Sequence, residues 1–143
     1  MSRRTDILGE LTTHLRSAQY TDDPLPTNGV QRGMKWLDQI NDFPFICYHV
    51  GDAELVHIGA GERYYRMEIS LRGYVRGEDS QSLADQLALD IEDAADSFRD
   101  AATSTHMIVD SRISEVSTDE GLMEPNGIVE MVIEVSYQQD VNI

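Results

Sequence analysis

The chain has one cysteine, one lysine and one tryptophan among 143 residues, and its longest apolar runs fall far short of the roughly 20 residues that cross a bilayer. A single thiol, Cys47, excludes a disulfide within the chain and fits synthesis in a reducing cytosol. The opening residues, Met-Ser-Arg-Arg-Thr-Asp, lack the apolar segment of a signal peptide. No glycine-rich loop ends in Lys-Ser or Lys-Thr, and neither a His-Glu-x-x-His helix nor a Gly-x-Ser-x-Gly elbow is present. Basic residues are scarce, at 11 against 26 acidic ones, so the chain lacks the footprint that displaces counterions from nucleic acid.

What the chain does have is acid, unevenly placed. Residues 1–76 carry nine Arg or Lys against ten Asp or Glu, a net of −1, whereas residues 77–143 carry two against sixteen, a net of −14. Charge of this size keeps a protein soluble, and it also makes a surface past which nucleic acid slides without sticking. With 41% apolar residues and a length suited to one domain, one core is expected.

The organising stretch is 63–102. Tyr65, Met67, Ile69, Leu71 and Val75 alternate with Tyr64, Arg66, Glu68, Ser70, Arg72 and Tyr74, which is the period of a strand with one apolar face. Gly77, Glu78, Asp79 and Ser80 break the alternation, and Asp79 or Ser80 caps a helix over about 80–100. Its stripe is Leu83, Ala84, Leu87, Ala88, Ile91, Ala94, Ala95 and Phe98, with Asp85, Leu89, Glu92, Asp93, Asp96 and Asp100 on the far side.

An N-terminal helix capped near Thr5 and ending near Gln19 buries Ile7, Leu8, Leu11, Leu15 and Ala18. Pro24 and Pro26 make 20–28 an extended connector. The stretch 30–40, with Lys35 and Trp36, reads as a short turn or a loose arm, and 43–50 as a strand entered at Pro44. Residues 51–62 read as a protruding hairpin or a loop. Two more strands are predicted: 105–117, with Met107, Val109 and Ile113 on one side, and 127–138, with Val129, Met131, Ile133, Val135 and Tyr137 inward. They pair as neighbours across an acidic turn with Leu122 and Met123 at its tip. The expected fold is therefore a single α+β domain over 1–143. It has an antiparallel or mixed sheet of about four to five strands flanked by two helices, with possible arms near 20–42, 51–62 and 117–127.

Candidate chemistry is thin. Cys47, His49 and His57 are ligand types without a paired motif, and they read as ordinary strand residues, so neither a metal, a cofactor nor a catalytic residue is assigned. Asp90, at the border of the apolar stripe, is the one carboxylate placed for burial, and a structural ion pair accounts for it better than catalysis. The reading without an enzyme is favoured, with a small cytosolic carboxylate- or metal-dependent enzyme as the distant alternative. Arg66, Arg72 and Tyr74, on the polar face of the central strand, have the composition of a protein interface. Together with Leu89, Asp93 and Asp96 on the helix they suggest basic-to-acidic, head-to-tail assembly that can close into a ring.

The order of elements, with Asp42-Phe43-Pro44-Phe45-Ile46 opening a strand and Arg63-Tyr64-Tyr65-Arg66-Met67-Glu68-Ile69-Ser70-Leu71-Arg72-Gly73-Tyr74-Val75 forming the central one, resembles the tail terminator (tail completion) proteins of long-tailed bacteriophages. The similarity is densest over 42–95. The resemblance implies a hexameric ring that caps the tail tube, stops its polymerisation and presents a surface to the head-side connector. It implies a virion protein at the head-proximal end of the tail, assembled in the host cytoplasm. Its partners would be itself, the tube protein and the connector, with DNA passing through the lumen and no membrane contact. Leu55, Val56, Leu122 and Met123 are the candidates for meeting tube or connector. A neck or head-completion protein is the alternative within the same class.

Overall fold

The computed structural model describes residues 3–22, 25–26, 29–59, 62–105 and 108–140. Two long strands form its axis. β3 (Glu62–Arg76) and β5 (Asn126–Asp140) pair antiparallel in unbroken register from Glu62↔Asp140 to Arg76↔Asn126. β2 (Phe45–Gly59) lines the other side of β3 and β4 (Ile108–Thr118) the other side of β5, both antiparallel. A short strand, β1 (Val30–Arg32), pairs parallel to β2 and completes a mixed sheet of order β1-β2-β3-β5-β4. The expected α+β class and strand number hold.

Both helices cover one face of the sheet. α1 (Arg3–Ser17) buries Ile7, Leu8, Leu11 and Leu15, and α2 (Ser80–Thr105) buries Ala84, Leu87, Ile91 and Phe98 against Met67, Ile69, Leu71 and Met131. α1 sits over the β1–β2 side: Arg16 donates to the Val30 carbonyl at 3.1 Å, and the Thr12 and Tyr48 hydroxyls lie 2.6 Å apart. The helix is already formed at Arg3, so Thr5 lies inside its first turn and does not cap it.

α2 starts where expected. The Ser82 amide donates to the Asp79 carboxylate at 3.3 Å, while the Leu83 amide donates to the Asp79 carbonyl. Its first turn lies almost on the sheet, because a Cβ on Gly127 would come within 2.7 Å of the Ser80 carbonyl and of Val75. Small residues on both layers, Gly127 beneath and Ala84 above, make that approach possible.

Three local expectations change. The sequence pattern misses β1: it is three residues long, and beside it the Ile46 amide donates to the Gly29 carbonyl at 2.7 Å. A parallel neighbour needs a crossover connection, and residues 33–44 supply it by running over the face without helices. There Ile40, Phe45, Cys47 and Tyr74 form a second small core with Met34, Leu37, Phe43 and Ile128. Tyr74, expected on an open surface, is therefore buried, and its hydroxyl donates to the Lys35 carbonyl at 2.6 Å.

In β4 the inward set is Ile108, Ser111 and Ile113, opposite Tyr137, Val135 and Ile133. A bulge between Ile108 and Asp110 shifts the alternation that was read from Met107, Val109 and Ile113. Met107 lies outside the described residues.

Candidate assembly surfaces

The sheet is longer than the helices that cover it. Fifteen strand residues at about 3.4 Å each span roughly 50 Å, whereas the 26 residues of α2 span roughly 39 Å. The excess emerges at the β2–β3 hairpin, whose distal part continues as strand through Gly59 and is no loop. On its helix-side face Leu55 stands opposite Tyr65 and Ile58 opposite Arg63. Leu55, Val56 and Ile58 are exposed, by 46, 55 and 61%. Two register shifts in β2, between Val50 and Ala53 and between Leu55 and His57, twist this part and unpair Val56.

The opposite end of the same strands carries the β4–β5 turn. Asp119 organises it: one carboxylate oxygen accepts from the Met123 amide at 2.9 Å and the other from the Ile128 amide at 3.0 Å. Glu120 and Gly121 take positive φ, 54° and 81°, which short polar turns tolerate. Gln81 of α2 donates to Glu120 at 2.9 Å, and the Gly77 amide donates to the Pro125 carbonyl. On this braced support Leu122 is 86% exposed, with Met123 half-exposed beside it.

Between the two ends lie two polar faces. On the open side of the sheet Arg66 pairs with Glu54 at 3.1 Å, Arg72 with Glu130 at 3.0 Å and Arg112 with Glu134 at 2.7 Å. Glu68 and Glu115 add further acid on that side, so the face is not the basic one expected from Arg66 and Arg72. Each of those guanidinium groups is raised in pKa, Arg66 chiefly by its hydrogen bond to Glu54 and Arg72 chiefly by that to Tyr74. Arg72 also stacks on the exposed Trp36 ring at 5.3 Å. On the outer side of α2, Asp85, Leu89, Asp93 and Asp96 share one exposed face at i, i+4, i+8 and i+11, and among the described residues only Asp96 of these has an arginine paired with it, Arg99 at 3.9 Å.

Asp90 is buried without an arginine. It accepts from the Thr21 amide and hydroxyl, each at 2.9 Å, and from Gln86 at 3.1 Å, so it pins the connector after α1 to α2. Burial, reinforced by Asp90, pushes the neighbouring Tyr20 hydroxyl well above its usual range.

The Cys47 thiol lies under the crossover with Met34 at 3.6 Å, and burial raises it, which makes it a poor nucleophile. Among the described residues no cluster of three His, Cys, Asp or Glu side chains could hold a metal, and no helix is long and apolar enough to cross a membrane. The second small core and the Trp36–Arg72 stack escaped the sequence reading. Their signal was an aromatic residue, Tyr74, on an otherwise polar strand face, with Met34, Leu37 and Ile40 spaced by three in the crossover.

Comparison with known proteins places the chain in a family. The tail tube terminator protein p142 of Escherichia phage T5 is 28% identical over 119 residues, which cover 76% of this chain and 74% of that protein. The sequence also matches the family described as bacteriophage tail tube terminator proteins along residues 1–143, its whole length, and on that match the chain belongs to the bacteriophage tail tube terminator family.

Proposed function

We propose that the chain closes the head-proximal end of a phage tail, as a hexameric ring that caps the tube, ends its polymerisation and offers the attachment surface for the head-side connector. The family match over residues 1–143 carries this reading. The geometry fits it: the Leu122–Met123 turn and the distal hairpin lie at opposite ends of β3 and β5, so one subunit offers apolar contacts in two axial directions. The braced Leu122–Met123 turn suits docking to tube or connector, because its backbone is already ordered and binding costs little conformational entropy. Leu89, Asp93 and Asp96 on one side, and Arg66 and Arg72 on another, are the lateral surfaces by which copies meet. The acidic excess of residues 77–143, sixteen Asp or Glu against two Arg, suits a lumen through which DNA passes without being held. No catalytic residue, metal or cofactor enters this role.

Electron micrographs of purified tail tubes mixed with the protein test it. One ring at a single end of each tube is expected, and infected cells deprived of the protein are expected to make tails of uncontrolled length. Finished tails with unjoined heads would instead identify a neck or head-completion protein.

A further inference from the structure

Among the described residues, the distal hairpin is half of a core left open to solvent. Along the helix-side face of the sheet, exposure rises from Met67 and Ile69, both fully buried, to Ile58 at 61%. This uncovered end carries Leu55, Ile58 and one cation, Arg63, and among the described residues Arg63 has no ion pair. Of the hairpin's acids, Glu54, Glu62 and Glu68 project from the opposite face, where Glu54 already holds Arg66 and Glu62 accepts from the Tyr64 hydroxyl.

The outer side of α2 shows the complement, with an exposed Leu89 one turn from an exposed Asp93 that has no ion pair among the described residues. The spacings also agree. Residues directly opposite in an antiparallel pair have Cβ atoms about 4.5–5.5 Å apart, and residues four apart on a helix about 5–6 Å. An Ile58–Arg63 pair therefore meets a Leu89–Asp93 pair apolar to apolar and cation to acid.

We infer that the occupant of the uncovered hairpin face is a second copy of this chain, seated by the outer face of α2, with Ile58 on Leu89 and Arg63 on Asp93. This rests on the ring reading above and sharpens it. The contact joins two different surfaces, so it repeats from copy to copy, and a ring forms where the rotation between copies closes. It moves Leu55 into the ring and leaves the Leu122–Met123 turn as the axial contact.

Charge exchange tests it. Arg63→Glu and Asp93→Arg alter exposed side chains, so each variant is expected to melt like the wild type. Each is expected to lower the number of copies retained per tail tube by at least about tenfold, because like charges then face each other at every junction. Arg63→Glu combined with Asp93→Arg in one chain restores the pairing and is expected to recover capping to within about threefold of wild type. In a separate chain, Ile58→Cys with Leu89→Cys is expected to give chain-to-chain disulfides on capped tubes under oxidation, the native Cys47 being buried.

Capping by either single reversal at the wild-type level, no recovery in the double variant, or no chain-to-chain disulfide overturns the hairpin contact while wild-type capping upholds the ring. Failure of the wild-type protein to cap tubes overturns the ring reading itself.

Discussion

The two halves of the β2–β3 hairpin differ in what covers them. From Phe45 to Val50 and from Met67 to Arg76 the strands lie under two helices, and the alternate residues Ile46, Tyr48, Met67, Ile69 and Leu71 are sealed from water. From Ala53 to Gly59 and from Glu62 to Tyr65 the same strands continue in the same sheet, with the alternation of β2 shifted by two bulges, and Leu55 and Ile58 face solvent. A residue's contribution to stability here depends on what lies over it and little on its strand propensity. The near half of the hairpin makes the subunit, and the far half is available for contacts beyond it.

Two isoleucines on the same face put numbers on that contrast. Ile69→Ala, in the sealed half, is expected to destabilise the fold by about 2–5 kcal/mol through lost burial and a residual cavity, read as a fall in the denaturation midpoint. A smaller loss comes from overfilling: Gly127→Val pushes α2 off the sheet and is expected to cost about 1–3 kcal/mol by the same measurement, since the obstructing Ser80 carbonyl is backbone.

Alkaline pH probes the sealed half more gently. Burial is the first cause that raises Cys47, Tyr20, Tyr74 and Tyr137, so the folded chain keeps protons that the unfolded chain releases. Their contribution is fully present below the ordinary thiol and phenol range, about 8.5–10, and is lost progressively as pH rises from that range towards the raised folded values. Urea midpoints measured from pH 7.5 to 10.5 should decline, and a flat profile would refute it. The smallest effect is expected of Ile58→Ala, within about 0.5 kcal/mol. A large loss there would mean that the far half is stabilised within its own chain.

The parts of the fold legible in the sequence are those whose pattern is local. β3, β5 and α2 each bury one face with few interruptions, so alternation or a helical stripe finds them. β1 escapes because three residues held through backbone hydrogen bonds leave no side-chain period. The burial of Tyr74 depends on a crossover 39 positions away in its hydrogen bond to Lys35, and the pairing of Arg72 on a glutamate 58 positions away. No window of sequence contains both partners.

The expected basic face failed for the same reason. Arginines were counted on one strand, while the acids that pair with them come from the strands on either side. Of the candidate contact residues, Leu122 and Leu89 could be placed because turn chemistry and helical spacing are local, whereas the Ile58–Arg63 pair needed the cross-strand register.

The unbroken register of β3 on β5 has a mechanical consequence. Antiparallel hydrogen bonds lie across the strands, so a load carried between the Leu122 end and the hairpin end runs along the chain direction and meets those bonds sideways. They resist together, in shear, where a pull at right angles would open them one after another. The strand pair is the stiffest direction of the subunit, and it is the line that joins its two apolar ends.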